Sequence, residues 1–87
     1  MSDLYSLTPS RIVMYATEYC SDCKRAKAFL EEYQIEYQKV GLEGNEEAVK
    51  FVRTVNHGNR SVPTIIFPDG SILVEPSQEE LRAKFFT

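Results

Sequence analysis

Both cysteines of this 87-residue chain fall in one short stretch, Tyr19-Cys20-Ser21-Asp22-Cys23-Lys24. Three uses fit that spacing: a structural disulfide, half of a metal site, or a reactive pair. A Cys20–Cys23 bridge would close a very small loop, and short loops gain least from cross-linking. A tetrahedral metal site needs two further ligands, and the other soft candidate, His57, lies far along the chain; one chain cannot close such a site with these residues, although a dimer could. The reactive reading needs a device that favours the thiolate, because the thiolate, not the thiol, attacks disulfides.

The start of a helix is such a device, since its first N–H groups are unpaired and its dipole is positive there. Cys23, Ala26, Phe29, Leu30 and Tyr33 recur at helical spacing, with Lys24, Arg25, Lys27, Glu31 and Glu32 off that stripe. Cys20 at the beginning of this helix is the expected nucleophile. Cys23, one turn inside and more buried, is expected to resolve the mixed disulfide and leave both cysteines oxidised. Asp22 is a tuning residue, because a carboxylate between the thiols opposes a thiolate unless solvent screens it. A thiolate made by a helix terminus needs no histidine, so His57 reads as a solvated loop residue and no metal site is expected.

The elements around the pair follow from pattern and punctuation. Arg11 to Ala16 is a short apolar run suited to a strand buried on both faces. Ile35 to Val40 reads as a second strand. Asn45 is a good N-cap, followed by Glu46 and Glu47 and a buried stripe of Ala48, Phe51, Val52 and Val55. His57-Gly58-Asn59 stops that helix. Val62 to Phe67 is a third strand, Pro68-Asp69-Gly70-Ser71 a turn, and Ile72 to Val74 a return strand. Ser77-Gln78-Glu79-Glu80 is a capping box opening a last helix that buries Leu81 and Phe85. The order β-α-β-α-β-β-α predicts a four-stranded mixed sheet with helices on both faces. Cys20 then lies in a strand-to-helix loop at the carboxyl end of a central strand, the usual place for chemistry in such sheets.

Composition is that of a single globular domain: 43% apolar, 26% charged, net charge −3 with ten dispersed Lys and Arg. Nothing in it suggests a nucleic-acid partner. No apolar run approaches the roughly 20 residues that span a bilayer, and Met1 to Arg11 lacks the pattern of a secretory signal. A cytoplasmic location is expected, where thiols are kept reduced and lasting disulfides are rare. Residues 1–10 read as a flexible lead-in and 11–87 as the domain.

Tyr15-x-x-x-x-Cys20-x-x-Cys23, the helix after it, and Ser61-Val62-Pro63 resemble a glutaredoxin of the thioredoxin superfamily, with similarity from Arg11 to Phe85. Val55-Asn56-x-Gly58-Asn59-Arg60-Ser61-Val62-Pro63-Thr64, then Asp69-Gly70-Ser71 and Pro76-Ser77, bring it closer to the mycoredoxin branch. The resemblance implies an α/β thioredoxin fold and a thiol–disulfide oxidoreductase reducing protein disulfides or small-thiol mixed disulfides. It implies that Pro63 is a cis-proline facing the dithiol, with the Val62 backbone free to pair with an extended substrate. Thr17, Tyr19, Arg60 and Ser77 are further substrate-binding candidates; Tyr15 suits the rim or the core, Tyr19 is equally a solvent-exposed aromatic, and Arg60 equally a surface charge. Glutathione-using members usually carry a lysine where Thr17 stands, and a Gly-Gly pair with acidic residues where Leu73 to Ser77 stand. The expected co-substrate is therefore a low-molecular-weight thiol, mycothiol or glutathione, or a flavin disulfide reductase, with no tightly bound cofactor and a monomeric state. The rival reading is a dimer carrying an iron–sulfur cluster through Cys20 and an external thiol.

Overall fold

The computed structural model describes residues 3–86. Strands β1 (Val13–Ala16), β2 (Gln38–Gly41), β3 (Thr64–Ile66) and β4 (Ile72–Val74) alternate with helices α1 (Ser21–Glu32), α2 (Glu46–Val55) and α3 (Gln78–Phe86) in the order expected. They form one sheet of order β2-β1-β3-β4. β1 runs parallel to β2, pairing Val13 with Gln38 and Ala16 with Gly41. β3 is antiparallel to β1 and to β4.

β1 is buried along its whole length, and its two-residue period divides the core. Met14 and Ala16 join Ile65, Phe67 and α1 and α3 residues Cys23, Ala26, Phe29, Leu30 and Leu81 on one face. Val13 and Tyr15 join Val40, Ile66 and α2 residues Ala48 and Val52 on the other. Tyr15 is therefore a core residue, with no exposed surface.

Two caps form as their residue types dictate. The Asn45 side chain accepts from the Ala48 N–H at 3.1 Å. Ser77 and Glu80 make both bonds of the capping box: Glu80 N–H to Ser77 Oγ at 3.1 Å, and Ser77 N–H to Glu80 Oε1 at 3.0 Å. In the hairpin turn, Gly70 has φ +88 and Asp69 accepts from the Ser71 N–H at 2.9 Å. The Ser71 hydrogen bonds, with Lys84 beside them, hold the Asp69 carboxyl well below the usual range and tie the turn to α3.

Besides a first strand that begins at Val13 rather than Arg11, three stretches differ from the sequence reading. The second strand begins at Gln38, not Ile35. Gln34 turns left-handed at φ +55 and the Ile35 N–H donates to the Leu30 carbonyl at 2.8 Å, so this backbone caps α1 and the ladder starts only at Gln38 N–H to Ile12 O. The third strand is shorter than Val62 to Phe67, pairing from Thr64 to Ile66. The lead-in, whose first two residues lie outside the described ones, packs on the domain from Leu4 onward. It contains a turn of 3-10 helix at Asp3–Tyr5, a fully buried Pro9, and the Tyr5 ring 5.7 Å from Phe51 and 6.2 Å from Tyr15. These rings cover the α2 face of the core, which a chain beginning at Arg11 would leave open.

Tyr5→Ala is accordingly expected to lower stability by about 1–3 kcal/mol, below the value for a fully buried ring because Tyr5 is half-buried. Urea unfolding would show a lower midpoint with an unchanged slope. A midpoint equal to wild type would mean the segment contributes nothing to the fold.

Candidate active site

Cys20 is the N-cap of α1, with extended backbone (φ −104, ψ 118), and its Sγ accepts the Cys23 N–H at 3.1 Å. A sulfur thus stands where a serine or aspartate oxygen usually does, facing donors that α1 cannot satisfy from within. Negative charge on that sulfur meets the positive end of the helix dipole. On its other side Cys20 Sγ lies 3.6 Å from the Val62 carbonyl oxygen, to which the thiol donates. The nucleophile candidate therefore bridges the start of α1 and the Val62–Pro63 step, whose peptide bond is cis. Cys20 is partly open to solvent, and both cysteines are free thiols.

Cys23 is only 4% exposed. Burial, reinforced by a hydrogen bond with Cys20, pushes its thiol up to about 12, while hydrogen bonding from Thr17 pulls the other way. Over three residues, the spacing has placed one cysteine partly open to solvent and the other in the core. A small cavity of about 140 Å³ adjoins Cys23, bounded by Thr17, Glu18, Lys24, Lys27 and Lys39. A wider groove of about 940 Å³ runs over α2, past Asn45, Val49, Lys50 and Arg53, away from both cysteines.

The other candidates divide. Thr17 touches Cys23, and Val62 and Pro63 stand against Cys20. Tyr19 is 93% exposed beside the nucleophile. Arg60 is exposed and acts electrostatically on Glu43. Ser77 opens α3, where Glu80 engages both its N–H and its hydroxyl. Asp22 is ion-paired with Arg25 at 2.9 Å. His57 sits exposed beyond α2 with φ +57.

Two residues that sequence reasoning missed hold this arrangement. Glu43, just after β2, accepts the Glu18 N–H at 2.8 Å and so pins the loop between β1 and Cys20; that bond holds its carboxyl below the ordinary range. Its partner is 25 positions away, and no local pattern signals it. Arg25 holds Asp22 and also donates to the Pro76 carbonyl at 3.4 Å, joining α1 to the approach to α3. Opposite charges three apart on a helix were the available signal for the first of these contacts.

A Cys-x-x-Cys dithiol capping the first helix of such a sheet, beside a cis-proline, defines a member of the thioredoxin-fold class. Residues 12–72 match the Glutaredoxin family model, and the chain belongs to the glutaredoxin family. It is 45% identical over 73 residues to a Mycobacterium tuberculosis protein that bears a provisional glutaredoxin name, covering 84% of this chain and 87% of that one. It is 36% identical over 75 residues to mycoredoxin 1 of Corynebacterium glutamicum, covering 86% and 92%. Among solved structures, a thioredoxin-like protein superposes with a TM-score of 0.72 at 22% identity, covering 84% of this chain and 97% of that one; this likeness is one of fold. Family membership carries thiol–disulfide oxidoreductase chemistry at a general level.

Two outcomes follow from the thiol environments. In Cys20→Ser, Cys23 should alkylate at pH 7.5 at least about a hundredfold more slowly than an exposed cysteine. The sign is that of an acid kept neutral by folding. Its stabilisation is complete below the unfolded value of about 8.5 and is lost as pH rises through the folded value of about 12. Rapid neutral-pH labelling of Cys23 would contradict its burial.

Asp22→Asn should stabilise a Cys20 thiolate and hence the reduced protein, raising the reduction potential by about 10–20 mV, a small effect because Asp22 is partly exposed and paired. Redox titration measures it. An unchanged potential would mean Arg25 and solvent already cancel the charge.

Proposed function

We propose that this chain is a dithiol reductase of protein disulfides or small-thiol mixed disulfides, working in the cytoplasm. The observation that carries the reading is the placement of Cys20 Sγ between the Cys23 N–H and the Val62 carbonyl. The Cys20 thiolate attacks one sulfur of the substrate disulfide, forming a mixed disulfide and expelling the other sulfur as a thiolate. Cys23 then gives up its proton, attacks Cys20 Sγ and releases the second substrate thiol, which takes the proton. The Cys20–Cys23 disulfide that remains needs two electrons from outside, supplied by a low-molecular-weight thiol such as mycothiol or glutathione, or by a flavin disulfide reductase.

The high cost of ionising Cys23 suits its part in this sequence. A neutral buried thiol does not compete for substrate, and it attacks only once Cys20 carries a partner. Val62, beside Pro63, offers backbone to an extended substrate chain lying along Cys20, and the exposed Tyr19 ring offers it an apolar contact.

Cys20→Ser should abolish reduction of every disulfide substrate. Cys23→Ser should lose most reduction of protein disulfides yet still reduce mixed disulfides when a small thiol is in excess, because that thiol can replace Cys23 in the second step. Coupled assays with mycothiol, glutathione and a reductase system, run side by side, give the measurement. Retained turnover in Cys20→Ser would refute the assignment.

A further inference from the structure

The ten Lys and Arg, dispersed along the sequence, do not stay dispersed in space. Lys24, Lys27 and Lys39, three of the five lysines, border the cavity of about 140 Å³ beside Cys23. Lys24 and Lys27 stand one turn apart on α1, and Lys39 lies on β2 opposite Met14 of β1. Thr17 and Glu18 complete the polar lining. Glu18 answers one of the three cations, meeting Lys39 at 3.7 Å. Among the described residues Lys24 and Lys27 are ion-paired with no carboxylate, in a chain with more acidic than basic side chains. A local excess of positive charge is thus set beside the resolving thiol. Cys23 is also the residue whose N–H bonds Cys20 Sγ at 3.1 Å, so the cavity and the nucleophile share a wall. Sheet order fixes its side. Val62 precedes β3, Lys39 belongs to β2, and Cys20 follows β1, the strand between them. A substrate chain that lies against Val62 and continues across the Cys20 sulfur therefore runs toward the lysines.

We propose that this cavity is a subsite for an acidic side chain of a protein substrate, an aspartate or glutamate close in sequence to the cysteine that Cys20 attacks. The inference rests on Cys20 being the attacking sulfur, as argued above. The substrate carboxylate accepts from the ammonium groups of Lys24 and Lys27, while Lys39 keeps Glu18 engaged and so weakens the one opposing charge in the lining. All three lysines are exposed, and exposed ion pairs are individually weak. The subsite therefore ranks substrates by rate, through attraction during approach, and does not exclude neutral ones.

The test uses two peptides, each with one cysteine in mixed disulfide with mercaptoethanol, flanked by glutamates in one and glutamines in the other. Second-order rates of attack by the reduced protein are followed by mass. The glutamate-to-glutamine rate ratio is compared between variants, so that the peptides' own reactivity cancels. Lys24→Gln with Lys27→Gln should lower that ratio about three- to tenfold. High salt should bring the parent's ratio toward that of the variant. Lys50→Gln with Arg53→Gln removes as much charge from α2, away from both cysteines, and should move the ratio far less. A ratio unmoved by the α1 substitutions, or lowered as much by those on α2, overturns the proposal and leaves the oxidoreductase reading intact. If Cys20 attacks neither peptide, the oxidoreductase reading falls and a cysteine-free glutamate peptide decides the subsite by NMR. Amide shifts at Thr17 and Lys39 that the α1 substitutions abolish then support it, and their absence overturns it.

Discussion

The hydrogen bond from the Cys23 N–H to Cys20 Sγ, at 3.1 Å, is the contact on which the arrangement of the site turns. It requires three things at once. α1 must begin at Ser21, Cys20 must keep extended backbone, and the loop from Ala16 must deliver it there. β1 meets the last condition, being buried on both faces and locked between β2 and β3, which leaves the end of the strand little freedom of position. The Glu43–Glu18 bond fixes the remaining residues of the loop from the far side. The sheet and its helices thus act as a mount for one sulfur atom.

The same spacing that makes the pair also makes it unequal. A residue at the N-cap projects beyond the helix, whereas one three positions on lies on the stripe that packs against the sheet. Cys23 consequently shares a cluster with Met14, Phe29, Leu30 and Leu81, and burial raises its thiol to about 12. No special residue is needed to divide the roles; helix geometry and the position of the apolar face suffice. This also explains why the insert tolerates Ser21 and Asp22, which point off that stripe and whose charge Arg25 meets one turn later.

Local signals in the sequence were legible and distant ones were not. The α1 stripe, the Asn45 cap, the Ser77–Glu80 box and the Asp69-Gly70 turn each depend on residues within four positions of one another, and each formed where their types placed it. The fold class and the two cysteines follow from such signals. The start of β2 was hidden because Ile35 and Tyr37 carry strand-forming side chains, while the backbone before them is committed to capping α1; Tyr37 even reaches back to Glu31 at 3.0 Å. Tyr5 read as part of a polar lead-in because its ring partners, Tyr15 and Phe51, are distant in sequence. Arg25 to Pro76 and Glu43 to Glu18 are hidden for the same reason.

An acidic chain that must hold a thiolate presents a conflict, and distance resolves it. A net charge of −3 disfavours another anion, but beyond about 8 Å physiological salt screens exposed charges. Carboxylates of α1, α3 and the segment after β2 are engaged one by one: Asp22 by Arg25, Glu80 by the start of α3, Glu43 by the Glu18 N–H. Each engagement places a donor or a cation next to the carboxylate and shortens the reach of its field. At contact range the sulfur meets the Cys23 N–H and the end of a helix, which favour the ionised form, and the Val62 carbonyl, which accepts from the thiol and favours the neutral one.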